Sequence, residues 1–153
     1  MILTAQDFKG FKSFPQGVVI EDYITEFERK ALEIVVGHDM ADDVYNEYPA
    51  NPDYKALVDD AGLRDSLAEY VFYNMIWRTS FILNRSGVFR GTQDLAERTN
   101  AGQLISYHNS EFIRKANDVR DYIDAQNVAY PKPFPNADLS FDLSLISYNA
   151  LGI

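Results

Sequence analysis

Apolar residues recur at helical spacing along most of this chain. Ile20, Ile24, Phe27, Ala31, Ile34 and Val35 share one face, with Glu26, Glu28, Arg29 and Lys30 opposite, which predicts a helix over 20–36. Gly37 stands where a left-handed cap would end it. "HDMADDVYNEY" follows as a short helix near 39–46, closed by Pro49 and Pro52, and Thr4 with Asp7 has capping-box spacing for a helical turn near 5–9. Leu63, Leu67, Tyr70, Val71, Met75, Arg78 and Ile82 trace one stripe, and Phe72, Ile76 and Leu83 widen it, which predicts a central helix over 56–83. A helix apolar around most of its circumference is covered on several sides, and in so small a chain this suggests subunits as well as helices. Ile105, Phe112, Ala116, Val119 and Ile123 mark a last helix over 103–126.

The pattern then changes. "NVAYPKPFPNA" carries three prolines and excludes helix. Leu139, Phe141, Leu143 and Leu145 alternate with Ser140, Asp142 and Ser144, the period of a strand with one apolar face. The expected architecture is therefore all-α: three main helices and short N-terminal turns in residues 1–126, then a proline-rich extended tail over 127–153. A lone strand has no partner in a helical domain, so the tail is expected to add to a neighbouring molecule.

Composition narrows the function. With 153 residues the chain is long enough for one domain with a core. The net charge of −9 argues against a nucleic-acid binder, because phosphate affinity needs clustered Lys and Arg. Absence of cysteine removes disulfides, thiolate metal sites and Cys nucleophiles. The N-terminus has no basic stretch leading into an apolar run, as a signal peptide would, and no segment has the apolar length of a membrane span. These features suggest a soluble, intracellularly made domain.

Candidate chemistry is sparse. His38, Asp39, Asp42 and Asp43 lie within one short stretch, but a metal site needs further ligands and His108 is the only other histidine; acids at a helix start face its positive dipole end instead. No Glu-x-x-His pairs, G-x-S-x-G elbow or Walker loop occurs. "NRSGVFRGTQDL", residues 84–95, has the wrong glycine spacing and no lysine for a phosphate loop. Tyr70, Tyr73 and Trp77 fall at i, i+3 and i+7, which suits core packing or an inter-subunit contact. No metal, cofactor or catalytic constellation is expected.

Several stretches together carry a resemblance: "MILTAQDFKGF", "EIVVGHDMADDVYNEY", "YKALVDDAGLRDSLAEYVFYNMIW" and "NRSGVFRGTQ", followed by an amphipathic helix. Their order resembles the head–tail connector (adaptor) proteins of tailed bacteriophages. There a first helix ends in a Leu-Gly-like turn before a short helix, here Val36-Gly37. A Gly-Leu opens the long central helix, here Gly62-Leu63, and a Gly-Val turn follows it, here Gly87-Val88. The likeness covers roughly residues 1 to 125; the proline-rich tail is less typical. It implies an all-helical, non-enzymatic virion protein of the neck, made in the host cytoplasm. It further implies a homo-oligomeric ring, commonly twelve-fold, bound to the portal and to tail or neck proteins, through which DNA passes without specific binding. An acidic channel wall would repel the phosphates.

Within that reading Gly87 and Gly91 permit a loop or short hairpin between helices, and Val88, Phe89 and Arg90 form an assembly element at its tip. Tyr73 and Trp77, and Leu139, Phe141, Leu143 and Leu145 of the tail, are the other expected protein contacts. The competing reading is a small acidic regulatory or inhibitory protein, a DNA mimic or protein-binding module acting as monomer or dimer.

Overall fold

Glycines with positive φ divide the helical pattern into its elements. In the computed structural model, residues 1–11, 18–79, 81–84, 87–90, 95–126 and 130 are described, with side chains for all except those of the strands and of residues 95–101. A single 3-10 turn, Ala5–Phe8, precedes α1 (Ile20–Val36). Asp7 accepts from the backbone N–H and the hydroxyl of Thr4, at 2.7 and 2.9 Å, the half of the capping box that fixes this turn. Gly37 then adopts φ 83° and ψ 160°. The positive φ is as expected, but the ψ lies outside the left-handed helical region, so Gly37 is a sharp joint. It serves at once as the end of α1 and the N-cap of α2 (His38–Glu47).

The central helix expected over 56–83 is two helices and a strand. α3 (Pro52–Asp59) begins with proline in its first turn and the Asn51 side chain accepting from Asp53 N–H at 3.0 Å. Gly62, at φ 84°, separates α3 from α4 (Leu63–Thr79), whose Ser66 N–H donates to Gly62 O. After Thr79 the chain leaves the helix for an antiparallel hairpin of β1 (Phe81–Asn84) and β2 (Gly87–Arg90), with Phe81 opposite Arg90 and Asn84 opposite Gly87. The aromatic and β-branched Phe81 and Ile82 favour a strand, and a short apolar run has no period that distinguishes the two. α5 (Leu95–Ala125) starts well before residue 103 and runs through Gly102. Apart from this hairpin, the described fold is all-α.

α4 occupies the centre. It packs against α1, against α5, which runs antiparallel to it, and against α3 and the N-terminal turn. Its Leu63, Leu67, Val71, Phe72 and Met75 are fully buried beside Leu32 and Val35 of α1 and Phe112, Ala116 and Val119 of α5. Much of its apolar surface is thus covered within one chain. Ile2, Leu3 and Phe8 join the same core. Buried Glu28 holds the N-terminal segment, accepting from Ile2 and Leu3 N–H at 2.9 and 2.6 Å, while Arg64 donates to Ile2 O at 2.7 Å. Arg120 of α5 donates to the Ile34 and Val35 carbonyls, at 2.8 and 3.1 Å, and so caps the end of α1 across the bundle. Tyr130, past the expected domain limit at 126, is also core. The rest of the tail, including Leu139, Phe141, Leu143 and Leu145, lies outside the described residues.

Candidate functional site

Where α4 meets α5, the apolar contact is interrupted by charge. Glu69 lies on the α4 face turned toward α5, and His108 and Lys115 stand seven residues apart on α5, two turns along one face. Both therefore reach one carboxylate: His108 Nδ1 is 2.6 Å from Glu69 Oε2, and Lys115 Nζ is 2.8 Å from Oε1. The Glu69 and His108 side chains are only 8% and 9% exposed, whereas Lys115 keeps 23%, so the cation is the member that solvent reaches. An ionised carboxylate only accepts, so Nδ1 carries a proton and the Nε2 of a neutral ring is left as an acceptor. The imidazole is held by rings, edge-on to Phe72 at 4.6 Å and against Phe11 at 5.4 Å and Tyr107 at 5.1 Å.

Burial pushes the Glu69 carboxyl up, but the hydrogen bonds from His108 and then Lys115 outweigh it, and the net shift is below the ordinary value of 4.5. A folded-state pKa below the unfolded one stabilises the fold above pH 4.5, and that stability is lost as pH falls through the folded value. The expected outcome is a urea midpoint that drops on acidification from about pH 6 to about pH 3, with a shallower drop in Glu69→Gln, which lacks this titration. Equal slopes in the two proteins would show that Glu69 contributes nothing to the acid response.

A cleft of about 460 Å³ opens beside the triad, walled by Phe11, Ala68, Leu104 and Tyr107, with Asp65 beside Glu69 on α4. The arrangement can hold a ligand; the buried Ser66 hydroxyl, which has no hydrogen-bond partner among the described residues, is not part of the cleft wall. His38 is exposed and sits 3.4 Å from Glu33, and Asp42 pairs with Arg29. Among the described residues no three His, Asp or Glu side chains converge as metal ligands.

The residues singled out from sequence lie elsewhere. Val88, Phe89 and Arg90 are on β2, paired with Leu83, Ile82 and Phe81. Tyr73 and Trp77 are half-buried toward the hairpin end of α4, Tyr73 with its ring 6.4 Å from that of Tyr70. Tyr70 in turn packs 4.9 Å from Phe112, so this aromatic band is partly core. Burial pushes the Tyr73 hydroxyl above its ordinary range. Glu69, His108 and Lys115 carry a signal that periodicity alone passes over: His108 falls on the stripe of Ile105, Phe112 and Ala116, an ionisable residue at a core position. No helix among the described residues is long and apolar enough to cross a membrane. The chain matches no protein-family model, no curated protein and no solved structure.

Proposed function

We propose that this chain is a structural protein of a phage neck, assembling as a homo-oligomeric ring between portal and tail around the DNA channel. The observation that carries the reading is where the elements break. α1 ends at Val36 before Gly37 and α4 opens at Leu63 after Gly62, two of the turns on which the connector resemblance rests, while the third position, Gly87-Val88, falls at the start of β2. Charge supports it as well. Residues 38–60 hold seven of the 23 acidic residues and Lys55 as their one Lys or Arg, and a channel wall of that sign repels DNA and lets it slide. The role is mechanical, and the hairpin joining α4 to α5 is its docking element.

The test is reconstruction of purified particles of the phage that encodes the chain, with copy number measured by mass spectrometry. A ring in the neck, of about twelve copies in the resemblance's terms, is expected; one copy per particle, or a position outside the neck, overturns the proposal. Phe89 and Arg90 lie on β2, opposite Ile82 and Phe81, and not at the loop tip expected from sequence. Replacing both by Ser is expected to leave the helical circular-dichroism signal in place, since the core among the described residues is built from the helices, the N-terminal segment and Tyr130, while particle yield falls. Normal yield from that double variant counts against the hairpin as an assembly element.

One observation favours the second reading, a small acidic regulatory or inhibitory module. The large apolar side chains exposed among the described residues are Met1, Val19 and Tyr107, which leaves little bare surface for a preformed ring. Light scattering on the protein mixed with its portal separates the two: a module stays monomeric or dimeric, a ring protein assembles.

A further inference from the structure

The geometry points to the cleft between α4 and α5 as a binding site for a small monocarboxylate with an apolar body. This does not depend on the neck reading. Its volume of about 460 Å³ lies within the roughly 300–1,000 Å³ of small-molecule sites. The sign of the ligand follows from what the floor has already spent. Glu69 already accepts from His108 at Oε2 and from Lys115 at Oε1, so a cationic ligand would have to share an oxygen with one of them. Lys115 bonds Glu69 with one of three N–H groups, and its 23% exposure makes the ammonium reachable from the cleft. What the floor can still offer with charge assistance is therefore a donor, and a carboxylate is its complement.

The walls set the rest of the ligand. Phe11, Ala68 and Leu104 give apolar surface, and the Tyr107 ring, 59% exposed, adds an aromatic face at the side. Asp65 stands one turn before Glu69 on α4, exposed, and with Glu69 it disfavours a second negative charge. A single carboxylate is accordingly preferred over phosphate.

The chain's two histidines make the test site-resolved, because His38 is 70% exposed on α2 and acts as the control for His108. Phenylacetate is titrated into the full chain while the imidazole resonances are followed by NMR. A saturable shift at His108 alone is expected, with none from benzylamine or inorganic phosphate. Lys115→Arg should bind within about threefold of the parent, and Lys115→Met about tenfold more weakly. Should Lys115→Met fail to fold, Tyr107→Ala decides instead: Tyr107 is exposed, its loss should leave the fold intact, and affinity should fall by about threefold or more. The proposal is overturned by shifts at both histidines or neither, by tighter binding of benzylamine or phosphate, or by unchanged affinity in the folded Lys115→Met or Tyr107→Ala protein.

Discussion

Glu69→Ala is expected to lower the free energy of unfolding by about 3 kcal/mol, and replacing the triad by Glu69→Leu, His108→Leu and Lys115→Met together to recover most of that loss. Removing one member of a buried ion pair typically costs about 3–5 kcal/mol, because the remaining charge keeps its desolvation without its partner. The lower end applies here, since Lys115 at 23% exposure can turn its ammonium to water. His108 has no such exit: its side chain is 9% exposed beneath Phe72 and Phe11, and alanine would leave Nδ1–H without its 2.6 Å acceptor. The triple replacement removes every buried polar group of the cluster at once, and apolar packing of similar volume is often neutral or better. Urea unfolding followed by circular dichroism, at constant m, measures both differences. A cost under about 1 kcal/mol for Glu69→Ala would mean that the cluster is solvated and that its geometry stores no energy. Recovery in the triple variant with loss of phenylacetate binding would separate what the triad does for the ligand from what it does for the fold.

Much of the helical framework can be read from period alone. The stripe from Ile20 to Val35 marks α1 to its last residue, because one face is apolar throughout and Gly37 follows. The same method runs α3, α4 and β1 together, since Leu57, Leu63, Leu67 and Met75 continue one apolar repeat across Ala61-Gly62. A single residue at φ 84° redirects the chain without disturbing the pattern on either side, and the pattern holds no record of φ. Gly102 misleads in the opposite sense. The helix expected over 103–126 begins just after it, yet an exposed glycine inside a helix costs only about 1 kcal/mol, which the long α5 absorbs.

The candidate site is less legible, and for a reason of distance. Glu69 finds His108 across 39 residues and Lys115 across 46, so no local spacing relates them. Only the tertiary pairing of α4 with α5 makes them neighbours. What remains visible in the sequence is the anomaly itself: an acid inside the broad apolar surface of α4 and a histidine on the stripe of α5. Arg120 shows the same limit. It stands beside Val119 on α5 and reads as a surface cation, but its guanidinium completes the end of α1.

The tail divides at Tyr130. Tyr130→Ala is expected to destabilise the isolated protein by about 3 kcal/mol, the scale of removing a buried aromatic ring, whereas deleting residues 136–153 is expected to leave its melting temperature unchanged and abolish assembly. Tyr130 is 4% exposed, with its ring 6.4 Å from Tyr54 of α3 and 6.3 Å from Tyr122 of α5. Its hydroxyl donates to Asp53 O at 2.7 Å, and burial, then the neighbouring Tyr122, pushes its pKa up to about 12. The ring thus ties the end of α5 to the start of α3 and roots the tail at a defined point of the domain. Beyond it, Leu139, Phe141, Leu143 and Leu145 alternate with Ser140, Asp142 and Ser144 in the manner of a strand that needs an edge. Seating four such side chains on a neighbour yields roughly 1.5–3 kcal/mol each before the ordering of the tail is subtracted, enough to strap adjacent molecules together. Differential scanning calorimetry of the two variants, beside particle assembly assays, reads both halves. A truncated monomer that melts earlier than the full chain would place the tail on its own helices and remove the strap.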